Sequence, residues 1–150
     1  MVTQPDTQTL YEQDFYLWVQ ETANLLKTRQ LDQLDYENLI DEVESLGFQE
    51  TDNLINNLRT LLRSLLKLKY LPPQKDNNWS LDALKACFDL QDILQVSPSL
   101  NAYFDENLEE TYQDARHLAF IETESDIFPQ NLPFTKAEIL DEDYCLTKKG

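Results

Sequence analysis

Between Leu54 and Leu68 the chain reads LINNLRTLLRSLLKL, and two prolines, Pro72 and Pro73, follow shortly after. At about 100° per residue, Leu54, Ile55, Leu58, Leu61, Leu62, Leu65, Leu66 and Leu68 fill an arc of roughly 160°. A helix with so wide an apolar arc has to meet more than one neighbour. The stretch therefore predicts a central helix over about residues 50–70. The prolines end it, because proline lacks the amide and restricts the residue before it.

The elements around this helix follow from the same kind of spacing. Thr9 and Glu12 have the separation of a capping box. Tyr11, Phe15, Trp18, Val19, Thr22, Leu25 and Leu26 then recur at helical intervals, with Lys27 and Arg29 at the C-terminal end where a cation suits the dipole. Asp35 is placed to cap a second helix with Tyr36, Leu39, Ile40, Val43 and Leu46 inward. Gly47 suits a left-handed stop, so the central helix is expected to run antiparallel to the second across a short connection. Trp79 opens a fourth helix of about 80–95 with Leu81, Leu84, Phe88, Leu90, Ile93 and Leu94 inward. Ser97-Pro98 restarts the chain into a fifth helix that runs to about Glu122. Ile127 to Pro133 is a loop, and Thr135 with Glu138 forms a second capping box for a short last helix through Leu140. The expectation is a single all-α domain over residues 1–150, a bundle of five main helices plus a short C-terminal one.

Composition narrows the chemistry. The 150 residues carry a net charge of −16, with only two glycines. Residues 1–50 hold 11 acids and 2 bases, 51–100 hold 5 and 6, and 101–150 hold 12 and 4. A surface so acidic opposes duplex DNA, whose nonspecific affinity comes from cationic side chains. No apolar run approaches the ~20 residues that span a bilayer, and the N-terminal stretch lacks the basic and apolar parts of a secretory signal. Cys87 and Cys145 fall in no metal-ligand spacing and fit a reducing cytoplasm.

Three carboxylates depart from the outward-facing pattern. Asp14 and Glu42 lie at the edges of their apolar arcs, and Glu122 projects into the apolar arc of the fifth helix. Together they are the candidates for a Mg²⁺ or Mn²⁺ site or for acid–base chemistry, against the reading that they are caps and ion-pair partners. Inward helical di-metal sites add a Glu-x-x-His pair. Here the one histidine, His117, falls on an outer face, and no metal or other cofactor is expected. Arg63 and Lys67 lie opposite the leucine arc and Arg59 at its edge, so the three form a stripe at i, i+4, i+8. It is read as an interaction candidate, or as the partner of the chain's own acidic helices. Lys69 lies inside the apolar arc. It is expected to meet Glu122, with Lys67 or Trp79 as the next candidates.

Several separated stretches share an order with a known family: Tyr11 to Trp18 (YEQDFYLW), Asp35 to Gly47 (DYENLIDEVESLG), Leu65-Leu66-Lys67, Trp79, Ser97 to Leu100 (SPSL), Glu122-Thr123, Phe128-Pro129, Pro133-Phe134 and Leu140 to Asp143 (LDED). Over about residues 9–144 the chain resembles the bacterial "domain of unknown function twenty-nine" family, abundant in cyanobacteria. The resemblance implies an all-α fold and no established activity. Family members often have histidine where this chain has Ser64, and a Glu-Gln-Arg run where it has Lys85-Ala86-Cys87. The functional expectation is a non-catalytic cytoplasmic interaction module whose unidentified protein partner is basic. The alternative is a metal-dependent enzyme using the inter-helix carboxylates.

Overall fold

Asp14 sets the first boundary. Its backbone is extended (φ −154°, ψ 91°), and its carboxylate accepts from the Leu17 amide at 3.0 Å. A side chain that satisfies an orphan amide starts a new helix there. The expected single first helix is therefore two, α1 (Thr7–Gln13) and α2 (Phe15–Lys27). Thr9 lies inside α1, and its side chain is outside the described residues. The computed structural model describes residues 7–73 and 78–147. After α2, Arg29 takes the left-handed conformation (φ 61°), and its guanidinium donates to the Leu26 carbonyl at 3.0 Å. A 3₁₀ turn (Leu31–Gln33) leads to Asp35, whose carboxylate accepts from the backbone and side-chain nitrogens of Asn38 and opens α3.

α3 runs from Tyr36 to Tyr70 without a break. The expected stop at Gly47, and the antiparallel packing across it, are corrected: the second and third helices are one. Glycine in a helix interior costs about 1 kcal/mol relative to alanine. Stopping there would strip up to eight backbone groups of their helical partners. No proline or left-handed residue follows Gly47 to force the stop. The remaining elements are α4 (Trp79–Val96), α5 (Leu100–Thr123), α6 (Lys136–Ile139) and α7 (Glu142–Thr147). Among the described residues there is no strand, and the protein is all-α, with four long helices rather than five.

Two of these boundaries refine the sequence reading. α5 starts at Leu100, two residues later than Ser97-Pro98 would place it, and the Ser97 carbonyl instead accepts from the Leu100 amide. After its last residue, Thr123, α5 is closed by Glu124 in the left-handed region (φ 56°), a position glycine usually takes. The Thr135–Glu138 capping box is present with both of its bonds. α7 was not expected; its buried Cys145 docks it on α4.

The chain divides into two compact units, residues 1–49 and 50–150, with the boundary inside α3 just past Gly47. In the second unit, Leu54, Leu58, Leu61, Leu62, Leu65 and Leu66 are all 0% exposed. They pack with Ala83, Cys87 and Leu90 of α4, Phe104, Tyr112 and Ala115 of α5, and Phe128, Phe134 and Ile139 from the C-terminal segment. Leu81 and Phe88, expected inward on α4, are exposed instead, and the alanines and Cys87 take the inner face. Side chains of α5 tie down the segment after it. Tyr112 donates its hydroxyl to the Pro129 carbonyl, Gln113 donates to Gln130 O at 2.8 Å, and Arg116 Nε donates to Phe128 O at 3.1 Å.

Among the described residues of the first unit, Trp18 is the one large apolar side chain that is buried. It packs edge-on to Tyr11 and stacks on Phe15. Tyr11 on α1 donates to Glu42 on α3 at 2.5 Å. Tyr36, Ile40, Val43 and Leu46, expected to be core, are more than half exposed.

Candidate functional site

The basic stripe of α3 meets acids of α5. The Lys67 ammonium lies 2.5 Å from a Glu122 carboxylate oxygen, Arg63 Nε lies 3.8 Å from the other oxygen, and Arg59 reaches Asp114 at 3.8 Å. The earlier cation pairs with the earlier acid and the later with the later, so the two helices run parallel along this line. The two 3.8 Å separations are too long for hydrogen bonds. The Lys67–Glu122 bond is the strong member. Lys67 is only 5% exposed, and its ammonium also sits 5.0 Å from the centre of the Trp79 ring. A lysine placed on the outer face by its spacing is thus buried, because Trp79 and Glu122 close over it. Glu122 finds the cationic partner expected of it, but that partner is Lys67 rather than Lys69. Lys69 instead lies over the rings of Tyr70 and Phe134 at 5.6 and 5.3 Å. Glu122 itself is 42% exposed, not buried in an apolar arc. The helix ends a residue later, at Thr123, which opens it to water.

The other two carboxylates have local work. Asp14 caps α2, and Glu42 accepts from Tyr11, whose hydroxyl is raised above its ordinary value first by that bond. Asp14 and Glu42 belong to the first unit and Glu122 to the second. Among the described residues, no group of three His, Cys, Asp or Glu side chains is gathered as a metal site.

Recesses lined by described residues indent the second unit. One, of about 260 Å³, is lined by Asp52, Asn56, Arg59, Tyr103, Asn107, Glu110 and Asp114, polar groups of α3 and α5. Arg59 donates to Asn56 there at 3.2 Å, and Asn107 donates to the Tyr103 carbonyl at 2.8 Å. Another, of about 160 Å³, is lined by Arg116, His117, Phe120, Asp126 and Phe128. Neither recess holds a thiol. Cys87 and Cys145 are buried against each other. Burial raises the Cys87 thiol and pushes Cys145 up to about 12, the wrong direction for a nucleophile.

The first unit presents a different surface. Among the described residues, eleven of the eighteen exposed large apolar side chains lie between Phe15 and Phe48. On α3, Tyr36, Ile40 and Val43 recur at i, i+4 and i+7, with exposures of 52, 53 and 59%. At about 100° per residue they fall with Gly47 inside a sector of about 60°. The apolar spacing is plain in the sequence, but it gave no signal that the face would stay uncovered. No described helix is long and apolar enough to cross a membrane.

These features define an all-α protein that pairs a filled leucine core with an open apolar helix face. A family model, the domain of unknown function DUF29, matches residues 10–145, and the chain belongs to that family. Comparison with curated proteins and with solved structures found no match.

Proposed function

We propose that this protein is a non-catalytic interaction module that holds a protein partner in the cytoplasm through the exposed apolar residues of its first unit. The observation that carries the reading is the unequal use of apolar side chains among the described residues: residues 50–150 bury a leucine-rich core and expose seven large apolar side chains, whereas residues 15–48 bury Trp18 alone and expose eleven. Soluble chains rarely expose contiguous apolar surface without a use for it. The charge pattern favours a basic partner over an anionic one, and duplex DNA is not among the partners proposed. Two free thiols fit a reducing compartment.

The test is affinity purification of the tagged full chain from its own cells, beside an Ile40→Asp variant. A stoichiometric protein retained by the parent is the expected result. Recovery of the parent with no stoichiometric companion, even after crosslinking in the cell, would remove the proposal.

A further inference from the structure

We infer that the stripe Tyr36, Ile40, Val43 and Gly47 on α3 is a docking surface for a basic amphipathic helix. This rests on the interaction-module reading and adds to it the site and the chemistry of the partner. Three observations on α3 converge.

The first is spacing. Anchors at i, i+4, i+7 and i+11 on one face match the way an amphipathic helix lies along an apolar surface.

The second is Gly47. It sits inside α3, where glycine is the poorest residue short of proline. Its own chain does not require it: an added Cβ would meet nothing within 4 Å, and its φ is not positive. A bare backbone at the end of an apolar stripe lets a second helix approach closely, which any larger residue would obstruct.

The third is charge. From Gln30 to Leu58 there is no lysine, arginine or histidine, while eight acids are present: Asp32, Asp35, Glu37, Asp41, Glu42, Glu44, Glu50 and Asp52. By helical spacing Glu37, Asp41 and Glu44 run along one edge of the stripe. A second copy of the chain would set these carboxylates against their own kind, and an anionic lipid surface or a nucleic acid would be repelled. A helix with an apolar face and lysines or arginines at its margins satisfies both the stripe and its rim.

The experiment titrates the full chain into a fluorescein-labelled peptide of about five helical turns, leucine on one face and lysine on the other. Fluorescence anisotropy is followed at physiological salt. Saturable binding is expected. Ile40→Asp and Gly47→Gln should each weaken it at least about tenfold. Ile121→Asp, at an exposed apolar position of α5, should leave it unchanged. A leucine/glutamate peptide of the same pattern should not bind. Gly47→Gln guards against misfolding as an explanation, since it should raise the melting temperature while lowering affinity.

Binding that is absent, that survives Ile40→Asp, or that the glutamate peptide shares would overturn the inference. Light scattering separates this failure from failure of the module reading. A dimer that Ile40→Asp returns to monomer would give the stripe to a second copy, overturning the basic-helix partner while leaving an interaction module. A cellular partner retained equally by Ile40→Asp and the parent would move the docking surface elsewhere, with the same consequence.

Discussion

One helix, α3, is built in two ways. From Leu54 to Leu66 six of its leucines are sealed in a core drawn from α4, α5 and the C-terminal segment, with Ile55, Leu68 and Tyr70 packed at its margin. From Tyr36 to Leu46 residues of the same apolar character stand more than half in water, apart from Leu39. Both stretches have helical periodicity, and both hold the same backbone conformation. Periodicity therefore reports which face of a helix is apolar. It does not report whether the protein itself covers that face.

The largest effect that could break this comparison is at Leu62. Leu62→Ala removes buried methyl groups and leaves a cavity, so it should cost about 2–5 kcal/mol in urea unfolding. A loss under about 1 kcal/mol would mean the second unit is not the packed half.

Alkaline pH sharpens the same contrast. Tyr112 is buried and donates to Pro129, and burial pushes its hydroxyl up to about 12. That is above the unfolded value of about 10. The stabilisation is therefore fully present below pH ~10 and is lost as pH rises through about 12, up to about 2–3 kcal/mol in all. Denaturation midpoints between about pH 8 and pH 11 should fall in the parent and fall less in Tyr112→Phe.

Glu122→Gln comes next. It leaves the Lys67 ammonium buried with a neutral partner. Because Glu122 is 42% exposed, water tempers the loss, and the expected cost is about 1–2 kcal/mol rather than that of a fully buried pair. Thermal melts of Glu122→Gln and the parent at neutral pH measure it.

The smallest effect is at Ile40. Ile40→Ala should change stability by no more than about 0.5 kcal/mol, as at other exposed sites. A cost near that of Leu62→Ala would erase the distinction between the two halves of the helix.

The leucine arc was legible because eight apolar residues on one side of a helix allow few other arrangements. The Thr135–Glu138 box and the Asp35 cap were legible for a similar reason: a side chain must reach a specific orphan amide, and only a few residue types can. Gly47 misled because a glycine permits a left-handed stop without compelling one, and the rest of α3 continued the ladder. Asp14 misled in the opposite sense, since a cap inside an apolar pattern looks like the edge of its arc. At the ion-pair line the spacing of Arg59, Arg63 and Lys67 was visible in sequence. The choice of Lys67 over Lys69 for Glu122 was not, because it depends on where Trp79 and the end of α5 fall in space. α7 was invisible for want of length; six residues carry too little periodicity to announce a helix.

The unbroken ladder of α3 also has a consequence in time. Amides between Leu58 and Leu66 exchange with solvent only when the leucine core opens. Amides near Ile40 rest on far less buried surface and open locally. Extending a helix is much easier than starting one, so opening advances from the Tyr36 end instead of beginning in the middle. Deuterium uptake along this one helix should form a gradient, fast at Tyr36 and slow by Leu65, with the steepest change near Gly47. A helix seated on the exposed stripe would slow the fast end alone, so the shape of that gradient is itself a gauge of occupancy.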